Sequence, residues 1–600
     1  MKFGLHGQRG ISFSSSAIDR GGLPPWRSRV VVFVVTVLFA SLGARAFWVQ
    51  VGNNQFYSEQ GRKRVQRTIE VPAARGRIVD RDNRLLAMSQ RAAGIFADPT
   101  EVPSDLPAET RARLAGLLGM SPADLAARLD PARSFVFLAR QLPYERGEEI
   151  AALKIPGIYR QPEWQRVYPM GESAAHVVGF TGLEGQGQEG IELALNQQLL
   201  AQNGQRLVIR DRLGRVVEDR GLLRSPRDGA AVQLTIDSRL QHLAYSELRA
   251  AVERHGAKAG GAVVLDARTG EILALANWPS YEPNQRSKLR GEQLRNRVVT
   301  DLFEPGSTIK PLNVALALDR GMVRPGTVVD TLGGSMKLGG GYTVKDVSRS
   351  TSLSVADVLK KSSNVGMVQI MHRVPSQEMW LSFQRFGLGH APSVAFPGTA
   401  AGWVRPAARW KPIEHATMSY GYGLSVSLLQ MAQAYTVFAG DGAMRPVSLL
   451  SGQPGVPQHV VRPETARAVR DMLELAAAKA SAVEGYRVGG KSGTTRKLVG
   501  GRYGAARYLS NFIGIAPLSN PRIVVAVTID DPTKGGYYGG AVAAPVFSDI
   551  AAGALHLLGV APDLHVQPLA ASASATPAPA PAPAPKAALR PPAVPAGRAG

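Results

Sequence analysis

The sequence predicts an α+β protein carried on a single N-terminal transmembrane helix. Three observations predict it. An uninterrupted apolar run, Val30 to Ala44, lies near the start. Strand-like apolar runs in hairpin spacing stand at both ends of residues 231–560, with helical patterns between them. An Ala/Pro-rich tract occupies the far end of the chain. Strands at the two ends of one segment are expected to meet in a single sheet with helices packed on it.

Composition narrows the chemistry. The 600 residues are 44% apolar and 20% charged, ordinary for a protein that buries sizeable cores and unlike a disordered chain or a polytopic membrane protein. Cysteine is absent, which excludes a thiol nucleophile, thiolate zinc sites and ordinary iron–sulfur clusters. The 70 basic against 47 acidic residues give +23, a charge suited to an anionic wall polymer or an acidic membrane face. Zinc-finger spacing and RNP-like aromatic runs are missing, so nucleic acid is not an expected partner. The ten histidines form no His-Glu-x-x-His cluster, and neither a metal nor another cofactor is expected.

Residues 1–29 carry Lys2, Arg9, Arg20, Arg27 and Arg29 against one acid, Asp19, and are read as a cytoplasmic segment. Residues 30–51 are read as the membrane span. The run to Ala44 is short of the ~20 residues a bilayer needs, but counting to Val51 reaches that length if Arg45 snorkels and Trp48 sits at the interface. Ala44-Arg45-Ala46 also fits a small-x-small cleavage pattern. The long leader and the interface aromatics favour a retained anchor.

Residues 52–230 are mixed and Arg-rich, with helical patterns at Pro107–Leu118 and Pro122–Leu129. Residues 231–560 differ. Gly261–Asp266 and Glu271–Ala276 predict a hairpin, and so do Phe512–Ile515 and Ile523–Ile529 around Ser519-Asn-Pro. Ser427–Phe438 and Thr465–Lys479 predict helices between them. Residues 561–600 predict a flexible tail, because Pro-rich tracts cannot bury a core.

Three short motifs carry chemistry. Ser307-Thr-Ile-Lys310 is the one Ser-x-x-Lys in the chain, and Pro305-Gly306 places Ser307 at a helix start. The i,i+3 spacing puts both side chains on one face, where a lysine of depressed pKa can take the serine proton. Ser362-Ser-Asn364 is the one Ser-x-Asn, able to offer a proton-relaying hydroxyl and a carbonyl-binding amide. Lys491-Ser-Gly-Thr494 follows Val-Gly-Gly and reads as a strand open to close approach of a ligand backbone. Its lysine can hold a carboxylate and also depress the pKa of Lys310. Each motif alone is more often a cap, a loop or a turn. Gly485 to Ser492 also fits a phosphate-loop pattern, but without the helix that should follow.

Together the three occur in order, 55 and 129 residues apart. That trio is the signature of penicillin-binding proteins and class A β-lactamases. The chain resembles the class B penicillin-binding proteins, and most of all the division-specific, septal D,D-transpeptidases of Gram-negative bacteria. Arg75–Ala87, Arg166-Val-Tyr-Pro, His176–Gly182 and Gly187–Glu192 resemble the family's segments between anchor and catalytic domain. Thr300–Gly306, Ser419–Leu424 and Tyr537–Gly540 resemble its transpeptidase segments. Asn83 replaces a usual Gly, and Thr495 a usual small apolar residue.

The resemblance implies an elongated pedestal over 52–230 and a transpeptidase domain over 231–560, a central antiparallel sheet with helices on both sides. It implies Ser307 as the acylated nucleophile, Lys310 as base and Ser362 as proton shuttle. Asn364 would bind the stem-peptide backbone. Lys491, Ser492 and Thr494 would hold the substrate carboxylate. The N–H groups of Ser307 and Thr494 would form the oxyanion hole, with Gly493 in the same strand. Implied partners are D-Ala-D-Ala stem peptides, β-lactams, the inner membrane, a lipid II polymerase and other divisome proteins. Competing readings are an elongation-specific transpeptidase, a D,D-carboxypeptidase, a β-lactamase and a non-catalytic sensor or scaffold. Glu192-Leu-Ala-Leu-Asn196 mimics a β-lactamase motif but precedes Ser307, where that family places it later.

Overall fold

The computed structural model describes residues 25–53, 55–57, 59, 66–211, 216–338, 341–499 and 502–564. Most of the expected cytoplasmic leader and of the Ala/Pro tail lies outside the described residues. The described residues form two compact units, one within Met1–Ala73 and Gln202–Arg227, the other within Ala74–Ala201 and Asp228–Gly600.

In the first unit a helix runs from Pro25 to Phe47 and a π-type turn continues it to Gly52. It begins five residues before Val30, the expected start of the span. Proline at the first helical position loses no hydrogen bond, and a helix needs no apolar residues to extend past the membrane. The 28 residues rise about 42 Å at 1.5 Å each, more than a bilayer's hydrocarbon core. The hydroxyls of Thr36 and Ser41 donate to the carbonyls of Val32 and Leu38, so neither is left unpaired in the apolar run. The same unit holds a three-stranded antiparallel sheet, with Gly204–Arg210 between Gln66–Val71 and Val216–Arg224.

In the second unit the long strand Leu85–Ala97 pairs with Val136–Pro143 and Ile158–Val167. Ile95, Leu114, Leu125, Leu138 and Ile150 form its small core. Asn83 takes φ 64° in the turn before that strand, the left-handed conformation that Asn tolerates in place of Gly. Glu192 is fully buried between Arg75 and Arg166, with both Nε–O distances 2.6 Å.

The larger part of this unit is built on β1 (Ala259–Asp266), β2 (Ile272–Trp278), β3 (Gly489–Val499), β4 (Arg502–Ala516) and β5 (Ile523–Asp530). The order is β2-β1-β5-β4-β3, antiparallel throughout. Both expected hairpins are present, and β1–β5 pairing joins the two ends of the segment. The strands alternate apolar residues to both faces, so both need cover. Ala262, Val264, Phe512, Val525 and Val527 face α1 (Ser238–Arg254) and the last helix, Gly539–Leu557. Val263, Leu265, Ile513 and Val524 face α2 (Lys310–Asp319), α4 (Leu428–Ala439) and α5 (Pro463–Ala476). Between α2 and α4 lies α3 (Asn364–Met371). The last helix, α6, is long and apolar enough to cross a membrane, but it packs on α1 and the sheet as a core element.

Candidate active site

The nucleophile turn is fixed from several sides. Gly306 has φ 53°, and a Cβ there would lie 2.4 Å from Thr495 Cγ2, so only glycine fits. Thr495 thus packs its methyl against this turn, which is what the unusual residue at that position does. Ser307 sits on a 3₁₀ turn, Gly306–Ile309, that runs into α2. Tyr435 of the wholly buried helix α4 donates its hydroxyl to Thr308 O at 2.7 Å. A capping box starts α4: Ser427 Oγ accepts from Gln430 N–H, and Gln430 Oε1 accepts from Ser427 N–H.

Lys310, the first residue of α2, is fully buried. Its Nζ donates to Ser362 O at 2.7 Å and Asn364 Oδ1 at 2.8 Å, and lies 3.2 Å from Ser362 Oγ. Ser362 Oγ donates to Ser307 Oγ at 2.9 Å. Lys310 therefore reaches Ser307 through Ser362. Ser362 has φ 56°, a left-handed conformation that costs a non-glycine residue of order 1 kcal/mol or more. The structure thus gathers the first two motifs around one chain of hydrogen bonds.

The third motif lies alongside, on edge strand β3. Lys491 is buried and donates to Ser492 O at 3.1 Å. Burial pushes its ammonium down to about 8. Burial also holds Lys310 well below the ordinary lysine range, the Lys491 charge lowers it further, and Asp346 opposes both. The expected influence of Lys491 on Lys310 is therefore present, second to burial. Gly493 lets the turn approach β3 closely, since a Cβ there would lie 3.0 Å from Pro305 O. Thr494 Oγ1 accepts the N–H of Gly539 at 2.9 Å, docking the start of α6 on the strand. Ser492 shares this strand.

Sequence reasoning missed Asp346. It lies 16 residues before Ser362 in a polar stretch, and no periodicity or motif marks it. Two decoys are resolved. Gly489–Val499 is a strand, so Gly485–Ser492 is no phosphate loop, which needs a helix there. Glu192 is held by Arg75 and Arg166 among residues 74–201, a structural ion network.

With the geometry in place, likeness to known proteins decides the family. A profile described as a penicillin-binding protein transpeptidase domain matches residues 260–552, and one described as a penicillin-binding protein dimerisation domain matches 70–234. The chain is 43% identical over 556 residues to the Neisseria meningitidis protein named "Probable peptidoglycan D,D-transpeptidase PenA", covering 91% of this chain and 94% of that one. It is 40% identical over 552 residues to the Escherichia coli peptidoglycan D,D-transpeptidase FtsI, covering 90% and 93%. The chain belongs to the penicillin-binding protein family. Among solved structures, the transpeptidase domain of Burkholderia pseudomallei penicillin-binding protein 3 is 48% identical with a TM-score of 0.51, covering 55% of this chain and 98% of that one. In this penicillin-binding protein the anchor-like helix, the 70–234 match and the transpeptidase match follow one another along the chain.

Proposed function

We propose that this penicillin-binding protein is a septal, class B peptidoglycan D,D-transpeptidase that works through an acyl-enzyme on Ser307. The observation that carries the reading is the chain Lys310–Ser362–Ser307. As a neutral amine, Lys310 can give its two N–H groups to Ser362 O and Asn364 Oδ1. That leaves its lone pair for Ser362 Oγ. With both hydroxyls turned, Ser307 passes its proton to Ser362 and Ser362 passes its own to Lys310. Ser307 Oγ then attacks the carbonyl of the penultimate D-Ala in a stem peptide.

The C–O bond forms, the C–N bond to the terminal D-Ala breaks, and the proton returns through Ser362 to the departing amine. An amine of a neighbouring stem repeats the sequence in reverse and forms the cross-link. Backbone N–H groups of Ser307 and Thr494 would carry the oxyanion, a contribution of roughly 3 kcal/mol per donor in acyl-transfer enzymes. Lys491, Ser492 and Thr494 would receive the stem carboxylate, and Asn364 the stem backbone. A β-lactam would enter as a stem-peptide mimic and leave a stable acyl-serine.

The division of the chain into a pedestal over 52–230 and a transpeptidase domain over 231–560 belongs to this proposal. The basic leader supports an N-terminus in the cytoplasm and a periplasmic catalytic domain, with one pass through the inner membrane. A lipid II polymerase and other divisome proteins are the proposed partners of anchor and pedestal.

Fluorescent-penicillin labelling of the detergent-solubilised protein tests the reading, beside Ser307→Ala and Lys310→Ala. Stable labelling of the wild type that is lost in Ser307→Ala supports it. Absence of labelling in the folded wild type overturns it, and labelling that fades quickly points to hydrolysis instead.

A further inference from the structure

Glu304 stands three residues before Ser307, outside the roles assigned above. Its Oε1 accepts the N–H of Gly423 at 2.8 Å. The Tyr503 hydroxyl is shared between its two oxygens, at 3.0 and 2.8 Å. Tyr503 pairs with Leu498 near the tip of the β3–β4 hairpin, and its ring meets Tyr422 edge-on at 6.0 Å. Gly306 N–H donates to Gly421 O at 3.0 Å. The nucleophile turn is therefore tied twice to the Tyr420–Gly423 turn and, through Glu304, to the hairpin tip.

Packing braces this flank only in part, through the Thr495 methyl against Gly306. A cavity of about 230 Å³ lies against Glu304, lined also by Leu302, Phe303, Thr495 and Arg496. Hydrogen bonds on the cavity side then add to that packing, and bonds to a carboxylate are roughly twice as strong as neutral ones.

We propose that Glu304 is a positioning residue for acylation, clamping the Ser307 turn to the Tyr420–Gly423 turn and, through Tyr503, to the β3–β4 hairpin. It acts through the placement of Ser307 Oγ and touches none of the reacting atoms. The claim rests on Ser307 being the nucleophile. A misplacement of about 1 Å at a nucleophile can cost on the order of 100-fold in rate.

Stopped-flow acylation of the full-length, detergent-solubilised protein by a fluorescent penicillin separates the acylation rate from the binding constant. Glu304→Ala should slow acylation roughly tenfold or more, with binding within about twofold. Glu304→Gln keeps an acceptor oxygen and should restore the rate to within about threefold, with Tyr503→Phe between the two. Acylation within about twofold of wild type in both Glu304→Ala and Tyr503→Phe overturns the proposal, as does a loss confined to binding. If Glu304→Ala fails to fold, Tyr503→Phe decides alone, since it removes one hydroxyl from a half-exposed ring; an unchanged rate there overturns the claim. Ser307→Ala runs alongside: labelling that persists in it breaks the nucleophile assignment rather than the positioning claim.

Discussion

Asp346 Oδ1 accepts the backbone N–H of Asn364 at 2.5 Å. The N–H of Val365 reaches the same oxygen at 2.9 Å, and the Ser363 hydroxyl donates to Oδ2 at 2.5 Å. One carboxylate thus holds the start of α3 and the turn that carries Ser362 and Asn364. It also sustains the basicity of Lys310 against burial and the Lys491 charge. Asp346→Asn keeps the shape and removes the charge. Hydrogen bonds to charged groups are worth about 1.5–3 kcal/mol, so penicillin acylation should fall roughly tenfold or more. Loss of Asp346 lowers the proton affinity of Lys310 further, so the rising limb of the acylation–pH profile should move to lower pH. A limb that moves upward, measured by fluorescent-penicillin kinetics across the pH range, would contradict this.

Ser362 joins a strained backbone to the proposed proton path. Its φ of 56° costs conformational energy, and its hydroxyl is the link between Lys310 and Ser307. Ser362→Ala and Ser362→Gly both remove the hydroxyl, but only glycine relieves the strain. Both should lose acylation on the order of 100-fold, the usual scale of a general acid–base contribution. Thermal unfolding should then separate them, with the glycine variant melting higher. Acylation that recovers in the glycine variant alone would assign the effect to backbone geometry instead of the hydroxyl.

The sheet was legible because its strands announce themselves. Ala262–Leu265 and Val524–Val527 are continuous apolar runs bounded by turn residues, and a strand covered on both faces reads that way. The three motifs were legible only as a trio, since each alone is common and the ordered combination is rare. Asp346 and Tyr503 were not. Asp346 is a lone acid in a polar stretch, and its three hydrogen bonds exist only once the Thr343–Lys345 strand and the start of α3 have met. Tyr503 meets Glu304 across 199 residues of chain, a distance no local pattern bridges. The helix begins before Val30, the expected start of the span, because apolarity marks the membrane and not the helix.

The role proposed for Lys491 gives penicillin binding a pH dependence of its own. Burial brings its ammonium down to about 8, so the positive charge is present below that pH and lost as pH rises through it. In the role proposed for Lys491, that charge would hold a penicillin or stem carboxylate. The binding constant for penicillin should therefore weaken above about pH 8, with the acylation rate changing less. Lys491→Arg stays charged across this range, because a guanidinium does not lose its proton there. Its binding should be weaker at pH 7 but flat through pH 9, with pH 7 and pH 9 as the two points compared (about one unit either side of the transition). A wild-type binding constant that is flat across the same interval would remove Lys491 from carboxylate binding.

Glu192 bears on what the residues before Ser307 are for. Its carboxylate is fully buried, with one oxygen on Arg75 Nε and the other on Arg166 Nε, both at 2.6 Å. Arg75 further donates to Asn196 Oδ1 and to the carbonyls of Gly185 and Glu192. Glu192→Gln would leave two guanidinium groups buried without their counter-charge. Breaking a buried ion pair in this way costs about 3–5 kcal/mol, which denaturant unfolding should read directly. The protein that remains folded should still take up penicillin at the wild-type rate and release it no faster. A general base for deacylation would give the reverse pattern, with stability little changed and the lifetime of the acyl-enzyme altered. The two arginines make the first outcome the expected one: a carboxylate held by two guanidinium groups is a poor base, and its removal is felt first by the fold.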